Sequence, residues 1–309
     1  MKKEPKIFVI IVTYKGHPWY ERCFTSLRNS EYPVQTIVID NASNDGTVEY
    51  IRENFPEIHL IESKENLGFG RANNIGMRYA LDHGCDYVFL LNQDAWIEPN
   101  TLSIMIPITE QHSECGIFSP LHIAADSDSI NFIVYDDSID LATPLLSDCY
   151  FNTLKDVYLC RYVNAAAWLM PRKTLETVGG FDPLFNMYGE DDQYLQRLKY
   201  FKLWCGIIPK TKITHDHPKD VSTPTQALPQ TKLLNERLVR YLDILTPMSV
   251  SQWIIYYILR LLKALLKFNS KKVRYCYCEI LFLIQNKKSI SKSRCANKIL
   301  GPTWLNEKI

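Results

Sequence analysis

The sequence predicts an α/β protein: a doubly wound, mostly parallel sheet with helices on both faces, followed by a helical, basic carboxy-terminal extension. Three observations carry that reading. Short apolar runs alternate with segments of helical spacing through the first 120 residues, as βαβ units do. Several of those runs end in carboxylates or amides, as at Asp40-Asn41 and Asn92-Gln93-Asp94, and in open α/β sheets ligands sit just beyond the carboxyl ends of the strands. Charge is also divided unevenly: from residue 241 onward twelve Lys and Arg face three Asp and Glu, a surplus of +9 that leaves the first 240 residues at −8.

The elements follow in order. Strands are expected at about residues 6–14, 35–41, 58–63, 86–93 and 116–120, and helices at about 19–30, 46–55, 69–83 and 99–112, from period-2 or wholly apolar runs against 3.6-residue spacing. Asn44-Asp45-Gly46 punctuates the exit of the second strand, and Pro99 stands where a helix can begin. The pattern lapses over 121–156, where Asp126-Ser-Asp-Ser129 and Asp136-Asp137 suggest a loop or hairpin excursion. Order returns with Tyr162-Val-Asn-Ala-Ala-Ala-Trp-Leu-Met170, Gly179-Gly-Phe-Asp182 and a helix from about Asp191 that keeps Leu195, Leu198 and Phe201 at core spacing.

A chain of 309 residues, 46% hydrophobic and 22% charged, can bury a full core and is large for one domain. The expected division is a main domain over 1–225, with halves at 1–120 and 121–225, and an extension over 226–309. Nine scattered cysteines form no CxxC pair, and Cys276 and Cys278 are too close for a zinc pattern. Reduced structural thiols in a cytoplasmic compartment are therefore expected. No small-residue cleavage site follows the first strand, so no signal peptide is expected.

Two segments invite chemistry. Asp40-Asn-Ala-Ser-Asn-Asp-Gly46 reads either as a polar turn or as a base-recognition edge. In the second case the carboxylate accepts the ring N–H of a uracil or thymine, and Tyr14 at the neighbouring strand end stacks on the ring. Glu65-Asn-Leu-Gly-Phe-Gly-Arg-Ala-Asn-Asn-Ile-Gly76 is a Gly-rich turn opening a helix, without the dinucleotide fingerprint. Its amides and Arg71 can meet a diphosphate or sugar hydroxyls; the bland alternative is a tight turn with a surface Arg.

Together the motifs form a resemblance. Thr13-Tyr14, Asp40-Asn-Ala-Ser-Asn-Asp-Gly-Thr47, Asn66-Leu-Gly-Phe-Gly-Arg-Ala-Asn-Asn74, Leu91-Asn-Gln-Asp94, Gly179-Gly-Phe-Asp-Pro183 and Tyr188-Gly-Glu-Asp191 occur in order. Over about residues 5–220 the chain thereby resembles family 2 inverting glycosyltransferases of the GT-A fold, and within them the rhamnosyltransferase-like branch that extends bacterial surface polysaccharides. The resemblance implies a UDP- or dTDP-linked sugar donor, a hydroxyl acceptor on a glycan or lipid-linked glycan, and Mn²⁺ or Mg²⁺ to meet the charge developing on the diphosphate. It places donor binding on Thr13, Tyr14, Asp40, Asn41, Asn66, Gly68, Phe69, Arg71, Asn74, Asn92 and Gln93. Asp94 matches a metal ligand of the family's Asp-x-Asp, whose first acid is here the neutral Asn92. His215 matches the histidine that completes such a site, with His217 as a substitute, and a His ligand favours Mn²⁺. Asp191 matches the catalytic base, with Glu190 beside it to orient the acceptor. Neighbouring carboxylates raise the Asp191 pKa while the helix start lowers it, and the sequence does not say which wins. Helix capping alone also accounts for this acidic cluster.

The tail Ser251-Gln-Trp-Ile-Ile-Tyr-Tyr-Ile-Leu-Arg-Leu-Leu-Lys-Ala-Leu-Leu-Lys-Phe268 is apolar but interrupted by Arg260, Lys263 and Lys267, which argues against a spanning helix. Followed by Lys271-Lys272-Val-Arg274 and Lys287-Lys288, it reads as an interfacial helix on anionic lipid at the inner face of the membrane. The rival is a helical hairpin that packs on the body or forms a homodimer through 227–285. No nucleic-acid module accompanies the basic residues, so nucleic acid is not an expected partner. Two competing functions stand beside the transferase: a degenerate glycan-binding scaffold, suggested by Asn92, and a nucleotidyltransferase, disfavoured because no basic phosphate loop follows the first strand.

Overall fold

A computed structural model of the chain describes residues 4–126, 129–130, 139–216 and 230–306. The first half alternates as the sequence predicts: β1 (Ile7–Thr13), α1 (His17–Arg28), β2 (Val34–Asp40), α2 (Thr47–Asn54), β3 (His59–Glu62), α3 (Gly68–Asp82) and β4 (Tyr87–Leu91). There follow β5 (Ala95–Ile97), α4 (Thr101–Thr109), β6 (Cys115–Ala124), α5 (Ile139–Tyr150), β7 (Tyr158–Cys160), β8 (Ala167–Pro171), α6 (Arg172–Thr177), α7 (Glu190–Tyr200) and β9 (Trp204–His215). The expected excursion over 121–156 is corrected in two places. β6 continues to Ala124 because its second half pairs with the end of β9, and α5 forms despite Pro144 inside it.

The strands form one sheet in the order β3-β2-β1-β4-β8-β6-β9-β5, with β7 on β9. From β3 through β4 it is parallel, the doubly wound half that was expected. Beyond β4 it is mixed: β8 runs antiparallel to both β4 and β6, β6 and β9 are parallel, and β5 and β7 lie antiparallel to β9. An apolar run reports burial and says nothing of strand direction, so the second half was not readable from pattern.

Alternating side chains divide the core into two layers, as a period of two requires. Phe8, Ile10, Val88, Leu90, Trp168 and Met170 face one layer with Ala72, Met77 and Ala80 of α3. Ile7, Val9, Ile11, Phe89, Ala167 and Leu169 face the other with Tyr20, Phe24 and Leu27 of α1 and Leu102 and Met105 of α4.

The extension comprises α8 (Gln230–Leu242), α9 (Val250–Leu266) and α10 (Ser270–Ala296). Ser249 and Gln252 form a capping box that starts α9, and Asn269 caps α10, so a two-helix hairpin is fixed locally. Its inner face makes a third core in which Tyr241, Leu242, Val250, Tyr257, Cys276, Phe282 and Leu283 surround Phe185, which the catalytic half contributes. The hairpin reading of the tail is thus what the structure displays on that face. No helix among the described residues is long and apolar enough to cross a membrane.

The chain's end returns to the body through Asp182. Its buried carboxylate accepts from the Ser293 hydroxyl, from Asn297 Nδ2 (2.8 Å) and from the Leu184 amide (3.0 Å). Gly180 N donates to Thr303 O (2.8 Å), and a Cβ on Gly179, whose φ is +86°, would stand 2.2 Å from that oxygen. Removing a buried acceptor strands its donors. Asp182→Ala is therefore expected to lower unfolding free energy by on the order of 2–4 kcal/mol. Urea denaturation checks this, and an unchanged midpoint would deny the latch its weight.

Candidate active site at the carboxyl edge of the sheet

Register places the edge. Thr13 pairs with Asp40 across β1 and β2, and Ile10 with Leu90 across β1 and β4, so the three strands deliver Thr13-Tyr14, Asp40-Asn41 and Asn92-Gln93-Asp94 to one line. Thr13 Oγ1 donates to Asp40 Oδ1 (3.0 Å) and the Ser43 amide to Oδ2 (2.9 Å), which fixes a buried carboxylate in one orientation. The Tyr14 ring is exposed with Lys15 Nζ 5.3 Å from its centroid. Gln93 clamps the Tyr14 backbone: its Oε1 accepts from Tyr14 N (2.9 Å) and its Nε2 donates to Tyr14 O (3.3 Å). Gln93 therefore ties β1 to β4 and is spent on that task.

The Gly-rich turn is a junction and not the open anion cradle that the sequence suggested. Leu67 N donates to Asn41 Oδ1 (3.2 Å), Gly68 N to Asn66 Oδ1 (2.9 Å) and Phe69 N to Asn186 O (3.3 Å), so its leading amides already have acceptors. Asn41 Nδ2 closes the circuit on Gly68 O (3.1 Å). Arg71 donates to Asn186 Oδ1 (2.8 Å) and Leu67 O (3.1 Å). Gly68 has φ +77°, and a Cβ there would lie 1.9 Å from Asn186 O, so only glycine lets the two segments meet. Phe69 packs edge-on against Phe181. Asn74 is buried with its whole amide on the Phe181 backbone, at 2.8 and 2.7 Å. In this arrangement Asn74 supports the Phe181 backbone from behind the expected donor pocket.

Asp94 and His215 come together because β5, the three residues after Asp94, pairs with the end of β9 in the register Ala95↔His215. His215 Nε2 lies 3.4 Å from Asp94 Oδ1, with side chains 3% and 15% exposed. Adjacent ligands on one Mg²⁺ or Mn²⁺ stand about 3 Å apart, so a carboxylate and an imidazole at this spacing fit one cation. No group of three or more His, Cys, Asp or Glu able to hold a metal occurs among the described residues, and donor oxygens or water would complete the shell. Sequence reading missed His122, whose buried ring lies 5.9 Å from that of His215 and bonds Ser119 Oγ (3.0 Å). Burial, then the neighbouring His215, hold its pKa well below the usual value. The residue falls just past the expected end of β6, and the Ala124↔His215 register that brings the two together is a long-range fact. His217 lies outside the described residues.

The acidic cluster opens α7. Gly189, at φ +86°, is its N-cap, and Glu190, Asp191 and Asp192 fill the first turn, where the helix dipole favours negative charge. Glu190 is buried with Oε2 lacking any hydrogen-bond partner among the described residues, and burial with the adjacent Asp191 pushes its carboxyl up to about 7. Asp191 is half-buried. Its Oδ2 accepts from Tyr162 Oη (2.8 Å) and its Oδ1 from Asp192 N (2.9 Å). A third effect, beyond the two weighed in the sequence, decides the direction: desolvation by burial raises the Asp191 pKa, although the Tyr162 hydroxyl and backbone amides, that of Ala165 included, pull it down. One residue further, Ala166 O accepts from Asn92 N (2.9 Å), so the start of β8 stitches the α7 cluster to the end of β4.

A half-parallel, half-mixed sheet whose polar edge is joined to a helix with an acidic first turn resembles the GT-A architecture. Residues 8–138 match the family model "Glycosyl transferase family 2", and the chain is similar to family 2 glycosyltransferases over that stretch. An N-acetylglucosaminyl-diphospho-decaprenol L-rhamnosyltransferase of Mycobacterium tuberculosis is 24% identical over 234 residues, which cover 67% of this chain and 75% of that protein. The dTDP-rhamnosyl transferase RfbF of Shigella flexneri is 25% identical over 211 residues, 68% of each. The solved mannosyltransferase PcManGT from Pyrobaculum calidifontis, in complex with GDP-Man and Mn²⁺, superposes with a TM-score of 0.52 at 17% identity, over 96% of this chain and 74% of that one; that likeness shows the fold alone.

Glu190 yields a prediction whose sign is fixed. Its folded pKa of about 7 exceeds the ordinary 4.5, so the stability it confers is complete below 4.5 and is lost as pH rises through about 7. The loss amounts to at most about 3 kcal/mol. Glu190→Gln is expected to remove the loss, raising the melting temperature at pH 8 and leaving it unchanged at pH 4. Parallel curves for both proteins across the range would contradict the assignment.

Proposed function

We propose that the chain is a metal-dependent, inverting transferase that moves a hexosyl or deoxyhexosyl group from a UDP- or dTDP-linked donor to a hydroxyl of a glycan or lipid-linked glycan in surface polysaccharide synthesis. The rhamnosyltransferase relatives favour rhamnose as that group. The observation that carries the reading is the stitching of Asp191 through Ala165 and Ala166 to Asn92, beside the Asp94–His215 pair. Residues 1–225 would form the catalytic unit and 226–309 its extension, working at the cytoplasmic face of a membrane where lipid-linked acceptors reside.

In this mechanism Asp40, held by Thr13, accepts the ring N–H of the base while Tyr14 stacks on it. Asn41, Gly68, Phe69 and the Asn66 and Arg71 side chains shape the pocket wall, with Gln93 and Asn74 acting as supports behind it. Asp94 and His215, with Asn92 alongside, would hold the Mn²⁺ or Mg²⁺ that neutralises charge on the departing diphosphate. The acceptor oxygen attacks the anomeric carbon opposite the diphosphate, the C–O bond to phosphate breaks, and the hydroxyl proton passes to Asp191. A raised pKa suits that proton transfer near neutrality, and Glu190 orients the acceptor hydroxyl.

Asp191→Asn should retain nucleotide binding and lose about 10²–10⁴-fold in transfer, read by product formation alongside nucleotide titration. Full transfer by the variant would remove the base assignment. Loss of nucleotide binding would show that Asp191 serves the donor site instead. Absence of turnover by the wild type with every nucleotide sugar would restore the scaffold reading motivated by Asn92.

A further inference from the structure

The hairpin's inner face is accounted for by the third core, but its outer face is not. Val250, Tyr257 and Ala264 point inward and are buried. On the opposite side Ile255, Leu259, Leu262 and Leu266 are 52–83% exposed, and Phe268, at the hairpin tip, is 95% exposed. At 3.6 residues per turn the four α9 side chains share one apolar arc of roughly 60°. Arg260, Lys263 and Lys267 occupy the next arc, and Lys271, Lys272 and Arg274 crowd the tip at the start of α10. No Asp or Glu occurs from residue 244 to residue 278.

We infer that this outer face of α9, with the cationic hairpin tip, is the docking surface for an anionic lipid bilayer. An apolar arc flanked by cations alone matches an interface in which acyl chains lie beneath negative headgroups. Charge decides against a symmetric dimer through this face, because two such faces in contact would bring six cations from each side together with no acid on either arc. With the hairpin packed on the body, α9 lies in the membrane plane and does not enter it end-on. The helical extension also reaches the site: Phe185 sits in the helical core, and Met187 O accepts from Asn235 Nδ2 of α8. Both belong to the loop that leads into Glu190 and Asp191. This deepens the membrane-face location proposed above and rests on it for its meaning in catalysis; the binding itself is measured without donor or acceptor, so its failure leaves the transferase reading intact.

The test is co-sedimentation of the full chain with vesicles of phosphatidylcholine, with or without phosphatidylglycerol. Binding is expected only with the anionic lipid and should weaken as salt rises. Each surface cation is worth about fivefold in affinity, so joint substitution of Lys263, Lys267 and Lys271 by Gln should weaken partitioning on the order of a hundredfold. Leu259→Ser with Leu262→Ser should also weaken it, with an unchanged thermal melt because both side chains are already exposed. Absence of binding to anionic vesicles, or equal binding by the Gln variant, would overturn the inference. So would a dimer in light scattering that the double Ser variant converts to monomer, since the face would then belong to a second copy.

Discussion

The turn Gly179-Gly180-Phe181-Asp182 is the constraint on which the rest of the structure depends. Asn74 of α3 holds the Phe181 backbone at both its amide and its carbonyl. The buried Arg197 of α7 donates to Gly180 O (2.5 Å) and to Val178 O, and Asp182 receives the end of α10. One short segment thereby locks together the helix behind the donor edge, the helix bearing the acidic cluster and the carboxy-terminal hairpin. Burying the Arg197 guanidinium is costly, and burial lowers its pKa to about 10; the carbonyls it satisfies make that burial tolerable. Movement of the turn would disturb α3 and α7 together.

The site built on this frame is economical in its use of polar groups. Many of the edge's side chains hold one another: Thr13 holds Asp40, Gln93 holds Tyr14, Asn41 holds Gly68 and Asn186 holds Arg71. Ordering these side chains costs conformational entropy on folding and returns a preorganised edge, which is what positioning chemistry requires. The groups left with capacity are carboxylates near the cleft. Glu190 and Asp191 are both shifted upward by desolvation, a pattern that clusters at functional sites because burial is how a carboxyl comes to exchange protons near neutrality.

Much of this was legible in the sequence, for physical reasons. β1, β2 and β4 are buried on both faces, so their apolar runs announce them, and strands that share a direction put their terminal polar residues on one edge. Helix α7 was recognisable from its spacing and its acidic first turn. What escaped depends on distant pairing. β5 is three residues long and exists because β9 lies beside it. His122 belongs with His215 through a register that no local pattern encodes. Asn74 was grouped with ligand-binding residues because the resemblance places its motif at the donor pocket, and only the position of Phe181 shows that its amide holds the backbone there. For the tail, lipid docking and helical packing were rival readings of one amphipathic pattern. In the fold the inner face packs while the outer face stays free, so one helix has room for both.

The most direct test of the central claim, that the carboxyl edge receives a nucleotide diphosphate beside Asp94 and His215, is a thermal-shift comparison of the wild type and Asp94→Ala with UDP and dTDP, each with and without Mn²⁺. A ligand present at about one hundred times its dissociation constant adds about 2.7 kcal/mol to stability, which a melting curve resolves. The account predicts a manganese-dependent rise with UDP or dTDP that Asp94→Ala loses. No rise with either nucleotide in the folded wild type, or an equal rise in the variant, would contradict it.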